Sequence, residues 1–266
     1  PFLIASPRWD PPVEVAAEWR EVPSDRIADA GDSAGGSDSV LAVGGGSAID
    51  LAKAISAETG LPLVSVPTTY SGAEWTPTFG IRDRGRRMQG GGSGARLAGI
   101  VYDPELTLGL PQPETVGTAM NALDHTAEAL YVKGRNEEGD REALAGASLI
   151  AEWLPRVVEA PDDLEARRAL LEGAMHAGAA LAAAGLGLAH AMAQALGGRF
   201  GLPHGAMNAI TLPPALRFNE PVAGAEIARF GDALGTDDPI ARVQELAMLG
   251  GYKRLRDLGV PENGLA

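Results

Sequence analysis

The chain has 266 residues, no cysteine, 45% hydrophobic residues and a net charge of −13, from 35 acidic and 22 basic side chains. The acidic balance disfavours non-specific nucleic-acid binding and anionic membrane surfaces, which need a positive field. Without cysteine there is no disulfide framework, thiolate zinc site or cysteine nucleophile, and the apolar share argues against global disorder. No apolar run reaches the roughly 18 residues of a membrane span, and the N-terminus lacks a signal-peptide pattern; a cytoplasmic address is the expectation.

Residues 1–110 alternate in period. Pro1–Ser6 reads as a strand, Glu14–Val22 as a short strand or helix, and Ser24–Ala30 as a helix capped by its serine. A strand over Ser39–Val43, a helix over Ser47–Thr59 and strands over Pro62–Pro67 and Ala98–Asp103 follow. Strands alternating with helices imply a parallel sheet with crossover helices. Asp32–Gly36 reads as a polar turn, and the basic, glycine-rich stretch Arg82–Gly94 as a hairpin or loop on the surface. After Leu110 the pattern turns helical, over Pro113–Val132, Glu138–Glu159, Asp163–Ala184, Leu186–Gly197, Pro221–Leu234 and Pro239–Leu258. The expected organisation is an α/β domain over 1–109 and an all-helical domain over 110–266.

Three constellations carry chemistry. In VLAVGGGSAIDLAK (Val40–Lys53), an apolar strand meets three glycines, a serine and then a helix. Glycines let a phosphate approach the backbone, and the N–H groups of the first helical turn point at it. The spacing is not the common GxGxxG fingerprint. Asp50 and Lys53 share a face of that helix and read equally well as a surface pair. In PTTYSGAEWTPT (Pro67–Thr78), hydroxyl residues follow a strand at the carboxyl edge of the sheet, where such folds bind ligands. Thr68, Thr69, Ser71 and Thr76 are candidate donors there. The four histidines make the third: Asn121 and His125 lie one helical turn apart, His190 sits in AGLGLAHAMAQALGG, and His204 follows in FGLPHGAMNAI. A helix pair plus two histidines from a helix–loop–helix can converge on zinc or ferrous iron, or can be packed core histidines. His176 reads as structural. Asp124 points about 100° from His125 and reads as a neighbour only.

In order, the blocks GGGSAIDLAKAI, PTTYSGAEWTPTFGI, VYDPELTLGLP, MNALDHTAEALY and GLAHAMAQALGGRFGLPHGAMNAITLPPALRFN resemble the iron-containing (group III) alcohol dehydrogenase superfamily, closest to its maleylacetate reductase branch. The resemblance implies a Rossmann-like dinucleotide-binding α/β domain, a helical catalytic domain of dehydroquinate-synthase type, and an active site in the cleft between them. It also implies residues missing at both ends, and a homodimer. Gly44, Gly45, Gly46 and Ser47 match the pyrophosphate loop, and Asp50, Thr68, Thr69 and Thr76 match other positions that contact NAD(P)H. Metal-binding members use Asp, His, His, His, and those positions fall on Asn121, His125, His190 and His204. A neutral amide thus replaces the carboxylate, and Gln194 stands where a further histidine is common.

The expected function is NAD(P)H-dependent reduction of the carbon–carbon double bond of an unsaturated oxo-dicarboxylate. His125, His190 and His204 would supply the proton and steady enolate charge, and Arg82, Arg86, Arg87 and Arg96 are candidates for the substrate carboxylates. The alternative is an iron- or zinc-dependent alcohol dehydrogenase, with the metal acting as Lewis acid. A sugar-phosphate cyclase fits less well, since the chain has only Lys53, Lys133 and Lys253 to bind phosphate. A catalytically silent NAD(P)-binding protein is the remaining reading.

Overall fold

The computed structural model describes residues 1–265; Ala266, the last residue of the expected helical domain, lies outside the described residues. Two compact units are present, Pro1–Thr69 with Ala73–Thr107 and Tyr70–Gly72 with Leu108–Ala266. The division is therefore not a single cut: three residues of the threonine-rich stretch belong with the helices.

In the first unit the strands β1 (Phe2–Ala5), β2 (Ala17–Trp19), β3 (Val40–Gly44), β4 (Pro62–Pro67) and β7 (Arg96–Ile100) form one sheet in the order β2-β1-β3-β4-β7, all parallel. Helices α1 (Ile27–Ser33) and α2 (Gly46–Thr59) complete two of the crossovers. One core is built from Phe2, Ile4, Val40, Ala42 and Leu63 of the strands with Ile49, Ala52 and Ile55 of α2. The alternate residues Leu3, Ala5 and Val43 form a smaller cluster with Trp9, Val15, Leu41 and Val66, as the two-residue period of a strand requires. Between β4 and β7 the basic stretch folds as an antiparallel hairpin, β5 (Phe79–Arg82) with β6 (Met88–Gly92).

Ser24 does not cap α1. The cap position is Arg26, with no side-chain bond, and the Ser24 hydroxyl donates instead to Glu21. Lys53 is not a surface residue either. Its side chain is 1% exposed, and Nζ donates to the Thr78 carbonyl at 2.8 Å and to Asp50 Oδ1 at 3.1 Å.

The second unit comprises α3 (Gln112–Ala129), α4 (Glu137–Glu159), α5 (Leu164–Ala184), α6 (Leu188–Phe200), α7 (His204–Leu234) and α8 (Pro239–Met248). Among the described residues, no single helix is long and apolar enough to cross a membrane. Helix α3 is the axis: almost every residue from Thr115 to Ala129 is buried, against α4, α5 and α7. The sequence reading began this helix at Pro221, but α7 is a 31-residue helix from His204, bent at Ala223. Its inner prolines, Pro213, Pro214 and Pro221, obscured the helical signal.

Glycine lets α7 meet α3 at its first turn. A Cβ on Gly205 would stand 2.4 Å from the carbonyl carbon and oxygen of Gly117. Gly205→Ala is expected to lower the melting temperature by several degrees, since forced overpacking costs about 1–3 kcal/mol. It should do so despite the better helix propensity of alanine, worth up to about 1 kcal/mol. A calorimetric scan showing an unchanged or raised melting temperature would contradict this close approach.

Candidate active site

Helix α3 carries one polar stripe through an apolar environment. Asn121, Asp124, His125 and Glu128 recur at helical spacing, and all four are 5% exposed or less. Buried polar groups need partners, and α6 supplies them. Glu128 accepts from the backbone N–H of Gly187 and of Ala189, each at 2.7 Å, so it caps the N-terminus of α6. The same carboxylate accepts from His190 Nδ1 at 3.0 Å. Asp124 Oδ2 lies 3.2 Å from that nitrogen, an ion-pair distance, while the hydrogen-bond geometry belongs to Glu128. Neither Asp124 oxygen has a hydrogen-bond partner among the described residues.

The opposite edge of the ring faces Asn121. That amide donates to the Ser71 carbonyl at 2.7 Å, which turns Oδ1 toward His190 Nε2, 3.3 Å away. With carboxylates at Nδ1 and a carbonyl oxygen at Nε2, His190 has acceptors at both nitrogens, and both carry protons. Burial alone would lower its pKa; the two carboxylates beside Nδ1, Asp124 first and then Glu128, outweigh it and raise the value to about 9. Burial lifts Asp124 to about 6, tempered by His190, so at neutral pH the pair is ionised.

His125 stacks on His190, with ring centroids 4.6 Å apart and planes 18° from parallel. His204, the first residue of α7, brings its ring to 5.7 Å from that of His190. The three histidines and Asn121 are thus brought together. Residues missed from the sequence complete the cluster: Glu128, one helical repeat beyond Asn121, and Asn208, one turn beyond His204. The signal for both was periodic, polar residues recurring at i+4 and i+7 on helices otherwise apolar. His176 pairs with Glu142 at 2.7 Å between α4 and α5, and Gln194 is exposed.

A metal ion shared by Asn121, His125, His190 and His204 does not fit this arrangement. Imidazole binds a metal through a lone pair in its ring plane at about 2.0–2.1 Å. His190, with acceptors at both ring nitrogens, has no lone pair left for a metal in this arrangement. Among the described residues, the acidic and histidine donors that converge are Asp124, Glu128 and His190, within 4.8 Å. There the carboxylates already hold a proton-bearing nitrogen and a helix terminus.

The dinucleotide fits better. Gly44 has φ +154°, and Gly45 caps the 14-residue α2 with no side-chain bond to its first turn. A Cβ on Gly45 would stand 2.8 Å from the Thr69 methyl, so the cradle closes unless that position is glycine. Thr68 N–H fixes the turn by donating to the Gly44 carbonyl at 3.0 Å. Ser47 opens α2, Thr69 Oγ1 has no hydrogen-bond partner among the described residues, and Thr76 accepts from Thr78. Asp50 is engaged internally, bound to Lys53 and to Gly80 N–H, as a brace for the segment bearing Thr76. Of the arginines, Arg96 donates to the Gly60 carbonyl at the end of α2, and Arg82 to the Arg86 carbonyl; Arg86 and Arg87 are exposed on the hairpin turn.

A parallel sheet with a glycine-rich phosphate cradle, joined in one chain to a helical unit with a buried histidine cluster, defines an NAD(P)-dependent oxidoreductase. Residues 12–103 match the family described as iron-containing alcohol dehydrogenase, and residues 115–266 its C-terminal part. The chain belongs to the iron-containing alcohol dehydrogenase family. It is 38% identical to a maleylacetate reductase of Burkholderia cepacia over 255 residues, 96% of this chain and 70% of that one. A second relative of that name, from Cupriavidus pinatubonensis, is 40% identical over 202 residues, which are 76% of this chain and 56% of its own. The crystal structure of maleylacetate reductase from Rhizobium sp. strain MTP-10005 superposes with a TM-score of 0.89 at 30% identity, covering 99% of this chain and 80% of that one.

The ionised histidine makes stability depend on pH in a definite direction. The folded-state pKa of about 9 lies above the ordinary 6.5, so the stabilisation is complete below pH 6.5 and is lost as pH rises through about 9. Asp124, lifted to about 6, has already ionised at neutral pH and adds nothing above it. Chemical denaturation is expected to show stability falling between about pH 7 and 10 in the native protein and a flatter profile in His190→Gln. Parallel profiles would contradict the buried ion pair.

Proposed function

We propose that the protein is a maleylacetate reductase-type enzyme, reducing the carbon–carbon double bond of an unsaturated oxo-dicarboxylate without a metal. The observation that carries the reading is His190 with acceptors at both ring nitrogens, beside an amide where a metal site would use a carboxylate. The curated relatives named maleylacetate reductase support the same substrate class.

When bound, the reduced nicotinamide supplies a hydride to one alkene carbon. The chain's own residues do the rest. Gly44, Gly45, Gly46 and Ser47 hold the pyrophosphate, with Thr68, Thr69, Ser71 and Thr76 as further polar contacts and Asp50 as the brace. As the π bond breaks, electron density moves onto the conjugated keto oxygen as an enolate. The histidine cluster, cationic at His190, lowers the energy of that charge, and a histidine N–H returns a proton to the other alkene carbon. Product formation thus consumes one hydride and one proton. Arg86 and Arg87 are the arginines left to meet the substrate carboxylates, as bidentate donors. The active enzyme is a homodimer in this reading, and light scattering of a monomeric species at assay concentration would remove that part of it.

Purified protein is expected to oxidise NADH or NADPH with maleylacetate at least about tenfold faster than with simple aldehydes and ketones, and to keep that rate after exhaustive chelation. Gly45→Ala should abolish it by weakening nucleotide binding. Preference for aldehydes or ketones, with activity lost on chelation and restored by ferrous iron or zinc, would establish the alcohol dehydrogenase alternative instead.

A further inference from the structure

Asn208 has no role in the scheme above, yet it occupies the centre of the cluster. It is fully buried on α7, one turn beyond His204. Its carboxamide nitrogen donates to Asn121 Oδ1, and stands 3.3 Å from His204 Nε2 and 3.4 Å from His190 Nε2. The identity of that atom follows from its surroundings. Asn121 has already used its own nitrogen on the Ser71 carbonyl, so only its oxygen faces Asn208, and a nitrogen must answer it. A carboxamide nitrogen has two hydrogens. One goes to Asn121, and the other is left to the imidazole edges, with His204 the nearer. His190 needs its own Nε2 proton for Asn121, so the lone pair that receives the second hydrogen belongs to His204.

We infer that Asn208 is a positioning residue for the reduction: its carboxamide nitrogen bridges Asn121 and His204, and aims the Nε2 edges of His190 and His204 at a common point. Its action runs through Asn121. By holding Oδ1 from one side while Ser71 holds the amide nitrogen from the other, it fixes the acceptor that orients His190. At the same time it makes His204 an acceptor at Nε2, so the two histidines present unlike edges, one a donor and one a lone pair. No charge change is required of Asn208 itself. The aspartate isostere would keep the shape and lose the donor, setting oxygen against the Asn121 oxygen. This role rests on the reductase reading for its kinetic consequence, but not for its geometry.

The test is a double-mutant cycle on the full chain with Asn208→Ala, Asn121→Ala and the pair. Asn208→Ala is expected to lower kcat with maleylacetate about tenfold or more, while the dissociation constant for NADH, measured by fluorescence without substrate, stays within about twofold. Because one residue acts through the other, the double variant should be no worse than the worse single. Losses that multiply would overturn the inference, as would a kcat deficit matching the fraction of unfolded protein. If the alanine variant does not fold, Asn208→Asp tests the same donor, and wild-type kcat in that variant overturns it. Nitrogen NMR of the histidine rings separates this inference from the reductase reading. Asn208→Asp should move the Nε2 signals of His204 and His190 in the substrate-free protein whatever reaction is catalysed. Unmoved signals defeat the inference alone, whereas moved signals with no maleylacetate turnover in the wild type defeat the reaction alone.

Discussion

A charged imidazole at the centre of a helical unit has to be held by something, and the second unit is arranged around that requirement. His190 is about 1% exposed. An uncompensated charge at such a site is costly enough that the group would surrender its proton. Two carboxylates one turn apart on α3 prevent that, and they too are buried. Glu128 reconciles the costs by doing two jobs with one group. It ends the unsatisfied N–H groups of α6 and binds the ring that α6 presents three residues in. The position of α6 against α3 and the orientation of His190 are therefore a single event. Thr211 on α7 adds a third element by donating to the Ala189 carbonyl at 3.0 Å, so the helix carrying His204 and Asn208 is held against the same turn.

The first unit solves a different problem with different means. The strand–glycine–helix turn there carries no charged side chain, and a Cβ at 44 or 45 would stand 2.8 Å from Ala48 or from the Thr69 methyl. Charge is used one layer below. Lys53 is buried and joined to the Thr78 carbonyl and Asp50, and Asp50 to Gly80 N–H. Glu74 is fully buried nearby, its carboxyl pushed up by burial although Tyr102 donates to it at 2.7 Å and the Lys53 charge opposes the shift. These contacts stiffen the segment from Glu74 to Gly80 from beneath. The sequence signature GGGSxxDxxK is then two devices in one, a cradle and the brace for the chain that follows it.

Much of this was legible in residues alone, and the boundary of what was legible is physical. Strand–glycine–helix is a local pattern, so Gly44–Ser47 could be read without knowing any contact. The histidines stood out because there are only four. Glu128 and Asn208 did not, because a carboxylate or amide on a helix is ordinarily solvated, and only the surrounding apolar residues mark these as buried. Helix α7 was hidden by its prolines, whose local cost is overridden by packing along its length. Lys53 was ambiguous for the opposite reason: the i+3 spacing to Asp50 is the same on a solvated face as on a buried one. Burial is a tertiary quantity, and Glu128, Asn208 and Lys53 all turned on it.

The amide at position 121 ties the chemistry to the fold more tightly than a change of one ligand suggests. Ser71 presents a carbonyl at 2.7 Å, which accepts only from a donor. A carboxylate at 121 would set oxygen against oxygen there, so the backbone of Tyr70–Gly72 itself selects asparagine. That selection propagates. The amide nitrogen is committed, the amide oxygen must face His190, and His190 Nε2 must then carry a proton that a metal ligand would have to lack. Tyr70 secures the backbone that starts this chain of consequences. Its ring is fully buried, Arg167 donates to its hydroxyl at 3.2 Å, and its N–H donates to Thr118 at 3.3 Å. A buried arginine on α5 thus bears, through a carbonyl and an amide, on how the central histidine is held.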